Sequence, residues 1–125
     1  MKQYLLIGLG GTVGAISRYS ISIIFASNSF KYPFATLIVN LIGCFLLTFL
    51  LNFTKIKQLF STSLFTALSV GVIGSFTTFS TVTIEIVDLW KLNTMLAIIY
   101  TITSIFGGLA CCIMGYTLAK RTKRK

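Results

Sequence analysis

The 125-residue chain has no histidine, a single proline (Pro33) and two acidic residues, Glu85 and Asp88. Without imidazole, metal and acid–base centres built on histidine are excluded. With no carboxylate before residue 85, a hydrolase that flanks its scissile bond with two carboxyl groups has nothing to work with. Charge of either sign is scarce. Asp, Glu, Lys and Arg make up 10% of the residues, against about 25% in soluble domains, which argues against a water-soluble enzyme domain. What is present is apolar: 55% hydrophobic residues and a mean hydropathy of +0.91. That content removes intrinsic disorder and leaves an all-α integral membrane protein, too small to form a large pore on its own.

A bilayer-spanning helix needs about 20 mostly apolar residues. Four stretches qualify, at about 4–26, 34–53, 61–84 and 94–118, followed by a basic tail at 119–125. The connectors Ser27–Pro33, Thr54–Phe60 and Glu85–Asn93 are short and hold most of the remaining charge. This predicts a single domain of four transmembrane helices. The first stretch is too long for the apolar region of a cleaved signal peptide, about 7–15 residues, and no clear cleavage site follows it. It reads as a retained helix.

Eleven Lys and Arg residues give a formal net charge of +9. Four crossings put both termini on one side. With them lie Lys2, Lys55, Lys57, Lys120, Arg121, Lys123, Arg124 and Lys125. Only Lys31 and Lys91 lie on the other side, and Arg18 lies inside a span. This bias predicts cytoplasmic termini. The basic tail reads as an anchor on anionic lipid; nucleic-acid binding through it has little support.

The first span carries Gly8, Gly10, Gly11 and Gly14. A dinucleotide-binding loop would need an acid about 20 residues further on, and none occurs, so the glycines read as close helix packing at small-xxx-small spacing. Arg18 is the one charge well inside a span. Placing it there costs roughly 2.5–3.5 kcal/mol on insertion scales, so it either faces a wet, anion-attracting vestibule or snorkels to the interface. In the second span, Thr36, Asn40, Cys44 and Thr48 recur every four residues and make one helical face polar or small. Asn40 then serves either as an interhelical hydrogen bond or as an N–H donor to a dehydrated anion.

The third span is the least regular. Gly71 and Gly74 precede Thr77, Thr78, Ser80, Thr81 and Thr83. Helix propensity is poor there and hydroxyls compete for the backbone, which predicts a broken helix near Gly74–Thr78 at mid-membrane. Such backbone is tolerated only inside protein or beside a cavity. Its freed carbonyls can coordinate a cation, and the hydroxyls of Thr78, Ser80 and Thr81 can donate to an anion. Phe76 and Phe79, three apart, are expected to share a face and to offer ring edges, the positive part of the aromatic quadrupole. Tyr100, Ser104, Gly108 and Cys112 form a second polar or small stripe on the fourth span. Cys44, Cys111 and Cys112 read as reduced packing residues.

Over essentially its whole length the chain resembles the CrcB/Fluc fluoride ion channels of bacteria. The resemblance rests on the segments Gly10-Gly-Thr-Val-Gly-Ala-Ile-Ser-Arg18-Tyr, Thr36-Leu-Ile-Val-Asn40-Leu-Ile-Gly43 and Gly71-Val-Ile-Gly74-Ser-Phe-Thr77-Thr-Phe79-Ser-Thr. It implies passive fluoride export across the plasma membrane by an antiparallel dimer with two narrow pores and a central structural sodium ion. It further implies Asn40 as a pore donor, Phe79 as the first pore phenylalanine, carbonyls of Gly74 and Thr77 as sodium ligands, and Arg18 at the vestibule. Thr36, Tyr100 and Ser104 would belong to the polar track.

Two positions depart from the family pattern. The second pore phenylalanine falls on Val82, and the polar track continues at Gly108. Two identical copies would then carry two defective pores. The charge bias also fixes one orientation, whereas an antiparallel homodimer needs a sequence that inserts both ways. Both features predict an antiparallel heterodimer with a second homologous chain. The alternatives are a non-conducting companion subunit and a small multidrug-type exporter; the latter needs a carboxylate in the first span, which this chain lacks.

Overall fold

The computed structural model describes residues 1–26 and 32–123, and all regular structure in that range is helical. Helix α1 runs Lys2–Ala26, α2 Phe34–Asn52 and the short α3 Thr54–Leu59. The third apolar stretch opens with α4 (Thr62–Thr66), widens into a π-helical segment (Ala67–Ile73) and tightens into α5 (Gly74–Phe76). Two extended residues follow: Thr77 at φ −78°, ψ 156° and Thr78 at φ −148°, ψ 125°. Helices α6 (Phe79–Leu92) and α7 (Thr94–Lys123) complete the chain. Four runs are long and apolar enough to cross a bilayer: Lys2–Phe25, Phe34–Asn52, Thr62–Leu92 and Thr94–Thr122. An all-helical chain with four membrane-capable helices is what the composition led one to expect.

The helices outlast the apolar stretches. The connector expected at Glu85–Asn93 is mostly the second half of α6, the one at Thr54–Phe60 is mostly α3, and α7 carries the basic tail as far as Lys123. Lys and Arg are good helix formers and let their stems lie along apolar surface, so the end of hydrophobicity is not the end of the helix. Turns come where a side chain caps instead. Ser61 accepts from the Leu64 N–H at 3.4 Å to start α4, and Asn93 Oδ1 accepts from Met95 and Leu96 N–H at 2.9 and 3.3 Å to start α7. Lys31, Arg124 and Lys125 lie outside the described residues.

Helix directions follow from the close contacts. A Cβ on Gly10 would stand 2.6 Å from the Ala67 carbonyl, and one on Gly14 would collide with the carbonyl of Val72 and meet the Phe76 N–H at 3.0 Å. Numbers rise together, so α1 and the third span run parallel. On α7, a Cβ on Gly107 would meet Leu41 at 3.0 Å and one on Gly115 the Phe45 carbonyl at 2.6 Å. Helix α7 is therefore parallel to α2. Between α2 and the third span numbers run oppositely, as Thr36 meets Glu85 and Asn40 meets Thr78. Two parallel pairs set against each other place both termini at one end of the bundle. The glycines at 14 and 115 are required by backbone-to-backbone approach, which on α1 is the small-xxx-small packing that the spacing implied.

The core is narrow. Val82, Leu89, Ala97 and Tyr100 are buried between α6 and α7, with Tyr32, Leu37, Ile86 and Leu96 against them. Outer faces stay apolar: Leu9, Val13 and Ile16 on α1, and Ile105, Phe106 and Ile113 on α7, are all exposed. An exposed apolar surface this extensive suits lipid, not water. The hydroxyls on those faces return to their own helix, as Thr12, Ser17, Ser20 and Ser22 each donate to the carbonyl four residues back. Those hydroxyls are not left to face hydrocarbon unpaired. The chain is a membrane protein.

Candidate functional site

The site is organised by one side chain. Asn40 Nδ2 donates to the Thr78 carbonyl at 2.9 Å, and the Thr78 N–H donates to Asn40 Oδ1 at 2.8 Å. The carboxamide of α2 thus pairs with an extended residue of the third span as one peptide pairs with another. The consequence lies one turn earlier. In a continuous helix the Thr78 N–H would bond the Gly74 carbonyl; here it goes to Asn40, while the Thr77 N–H still reaches the Ile73 carbonyl at 3.1 Å. Gly74 itself is exposed.

Thr78 does a second job. Its hydroxyl caps α6 by accepting from the Thr81 N–H at 3.3 Å, and it lies 2.9 Å from Thr81 Oγ1 and 3.3 Å from Ser80 Oγ. Thr78 is buried, whereas Ser80 is exposed. Beside this knot lies a cavity of about 330 Å³ whose walls include Asn40, Thr77, Thr78, Phe79, Val82 and Ser104. Its lining contains amide, hydroxyl and thiol groups and no charged side chain. Asn40 Nδ2 carries two hydrogens, and one of them is committed to Thr78. Among the described residues, Ser104 Oγ is the buried side-chain polar atom that lacks a hydrogen-bond partner.

Thr36 and Tyr100 gather elsewhere, around a residue that sequence reading had assigned to a connector. Glu85 Oε1 accepts from the Thr36 hydroxyl at 2.7 Å, and Oε2 accepts from the Tyr100 hydroxyl at 2.6 Å. Tyr100 is fully buried and Thr36 nearly so. The Tyr32 ring stands edge-on to Tyr100 at 5.5 Å, and its hydroxyl lies 2.8 Å from Thr103 Oγ1. Three spans therefore meet at one carboxyl group. The signal was available: Thr78, Val82, Glu85 and Leu89 recur at 3–4-residue spacing and share one face of α6, and all but Glu85 are less than a tenth exposed.

Other expected site residues fall as follows. Phe79 lines the cavity and is 85% exposed on the single chain. Phe76 does not join it and packs toward Gly43 and Gly14 instead. The shared face expected from their spacing is lost because Thr77 and Thr78 are extended, and three-residue spacing aligns side chains only along unbroken helix. Val82 is only 7% exposed and forms both core and cavity wall. At Gly108 the space a side chain would take is bounded by Cys44 Sγ, 3.6 Å from an ideal Cβ. Arg18 is half-buried on α1 and is not part of the cavity wall.

Residues 5–116 match the family described as "CrcB-like protein, Camphor Resistance (CrcB)". The chain is 40% identical over 117 residues to the fluoride-specific ion channel FluC 1 of Bacillus thuringiensis subsp. konkukian, covering 92% of this chain and 85% of that one. It is 39% identical to the protein of the same name in Desulfitobacterium hafniense, over 89% of this chain and 97% of that one. It is likewise 39% identical to the fluoride-specific ion channel FluC of Chlorobaculum tepidum, over 96% of both chains. With residues 5–116 matched and relatives about 40% identical over most of the length, the chain belongs to the CrcB family.

Proposed function

We propose that this chain is a subunit of a fluoride-selective channel that lets fluoride leave the bacterial cytoplasm passively. The observation that carries the reading is the cavity beside Thr78, which gathers neutral donors and no fixed charge. A small, strongly hydrated anion gives up its water only where hydrogen bonds replace it. A cation in the same place would hold the anion too tightly to release it, since conduction needs binding weak enough to leave. The second N–H of Asn40 and the unpartnered hydroxyl of Ser104 can both turn toward the cavity. Phe79 adds a ring whose positive edge can face an anion without trapping it. Fluoride itself is the ion in the names of the relatives. Weakly acidic HF crosses the bilayer and ionises inside, and the trapped anion leaves through the channel. The half-buried Arg18 would draw anions to a vestibule.

The assembly proposed is an antiparallel dimer. Phe79 is exposed on one chain, and a second chain would cover it and complete the path. The Gly74 and Thr77 carbonyls would hold a structural sodium at the centre. Asn40 takes the N–H that Gly74 would otherwise receive, and carbonyl oxygens suit a hard cation. Bound there, sodium would neutralise carbonyl dipoles and tie two subunits together. Both termini lie at one end of the bundle, and on the four-span reading of the sequence eight of the eleven basic residues go with them, so we place the termini in the cytoplasm. So fixed an orientation, together with Val82, supports a homologous partner of opposite topology.

The test is ion efflux from liposomes holding the purified chain, then the chain with its oppositely oriented homologue, followed with a fluoride electrode. Fluoride is expected to leave and chloride to stay. No fluoride-selective flux from either preparation would sink the channel. Flux from the single chain as fast as from the pair would sink the heterodimer.

A further inference from the structure

Cys44 on α2 and Cys112 on α7 meet between these parallel helices. The Cys112 thiol donates to the Cys44 carbonyl at 3.7 Å, which brings the two side chains to the same stretch of the α2–α7 seam. The Cys44 sulfur sits over Gly108, 3.6 Å from where a Cβ would stand. Cys44 also lines the cavity beside Asn40 and Phe79, so its side chain can be reached from that space. No disulfide joins the cysteines; Cys44, Cys111 and Cys112 are all free. Cys111 lies about 100° around α7 from Cys112.

We propose that Cys44 and Cys112 form a two-coordinate site for a soft divalent cation of the mercuric kind. Thiolates select soft metals, whereas calcium and magnesium require a cage of oxygens. A structural zinc site needs four ligands of the cysteine, histidine or carboxylate type. Among the described residues no group of three such side chains comes together. A mercuric ion is content with two sulfurs in line. Charge favours it as well. Each thiol releases one proton as its sulfur bonds the metal, so the dication and two thiolates make a neutral unit and two protons pass to solvent. No electron is transferred. Within a membrane span a neutral complex avoids the desolvation cost of a net charge. A soft monovalent cation on the same pair would leave one negative charge behind. The site stands independently of the channel reading, because its occupancy is read without any ion flux.

The test uses the full chain in detergent micelles, titrated with mercuric acetate. The first equivalent is expected to release two protons, to remove two thiols from reaction, and to give the ultraviolet charge-transfer band of a mercury dithiolate. Cys111→Ser should behave in the same way. Cys44→Ser and Cys112→Ser should each release one proton per metal and bind about a hundredfold more weakly, having lost a second ligand held at high effective concentration. One proton per metal in the unaltered chain, or equal effects of all three substitutions, would overturn the site. A measurement on the unaltered chain alone guards against misfolded variants. The bifunctional thiol reagent dibromobimane should bridge the pair and fluoresce, and prior mercury loading should prevent it. No bridging in the unloaded chain would equally overturn the proposal.

Discussion

Asn40 and Thr78 exchange two hydrogen bonds, 2.9 Å from the amide to the Thr78 carbonyl and 2.8 Å from the Thr78 N–H to the amide oxygen. A side chain of α2 thereby substitutes for the helical partner of a residue in another span. The extended backbone at Thr77 and Thr78 is not loose chain; both backbone polar groups of Thr78 are satisfied by one carboxamide. That relationship also fixes which carbonyl, Gly74, is deprived of a donor.

Asn40→Ala should therefore cost more than a surface change. It leaves the N–H and C=O of Thr78 unpaired in a water-poor setting, and each buried unpaired group costs about 1–3 kcal/mol. Asn40→Asp keeps the acceptor but sets oxygen against the Thr78 carbonyl. Both variants should show lower thermal midpoints by fluorescence-detected size exclusion. Fluoride efflux should fall about tenfold or more, the rate equivalent of about 1.4 kcal/mol. An Asn40→Ala protein with unchanged midpoint and flux would show that Thr78 finds other partners without loss.

The Glu85 cluster gives a graded series. Glu85→Gln keeps an acceptor oxygen, and the Thr36 and Tyr100 hydroxyls can turn to suit the amide, so its midpoint should stay near the unaltered value. Glu85→Leu strands two buried hydroxyls at about 1–3 kcal/mol each and should be far less stable. Thr36→Val and Tyr100→Phe should each fall between, because Thr36 and Tyr100 bond opposite oxygens of the same carboxyl group. Their combination should depart from additivity, as expected of two groups sharing a partner. Strict additivity would mean that the three residues do not act as a unit.

The glycines of α1 separate cleanly. A Cβ on Gly14 would strike the Val72 carbonyl, whereas one on Gly8 would meet nothing within 4 Å. Gly14→Ala should force α1 away from the π-helical segment, with a cost of about 1–3 kcal/mol from overpacking. Gly8→Ala should be neutral or gain up to about 1 kcal/mol of helix propensity. Equal thermal midpoints for the two variants would refute close packing as the reason for Gly14.

What could be read from the sequence was whatever depends on composition along the chain. Apolar length located four membrane-capable helices, and small-xxx-small spacing located the faces that touch. The glycines and threonines around residue 77 drew attention to the right segment, because poor helix propensity is a local property. Partners were harder. Periodicity says that Asn40 points inward but not that it will grip the backbone of residue 78. A charge ends the apolar stretch at Glu85, which therefore reads as the start of a connector; in the fold two hydroxyls from other spans donate to its oxygens and hold it inside the bundle. The paired face of Phe76 and Phe79 failed for a related reason, since helical spacing has no meaning across two extended residues.

Orientation is the last quantity open to direct measurement. Both termini lie at one end of the bundle, and Lys2, Lys55, Lys57, Lys120 and Arg121 belong to that end, whereas among the described residues Lys91 is the one basic side chain near the other. Loop charge sets the direction of insertion. A C-terminal fusion to a reporter that fluoresces only in the cytoplasm should be bright, and the same fusion to periplasmic phosphatase inactive. Neutralising Lys55 and Lys57 to Gln while adding two lysines beside Lys91 should reduce the bias enough to populate both orientations. The conduction readout then follows: a chain that inserts both ways should pair with itself, so any flux it gains without its homologue measures how far fixed orientation, rather than Val82, limits the single chain. If the unaltered chain already populates both sides equally, the charge count does not govern its insertion and the argument for an unequal pair rests on Val82 alone.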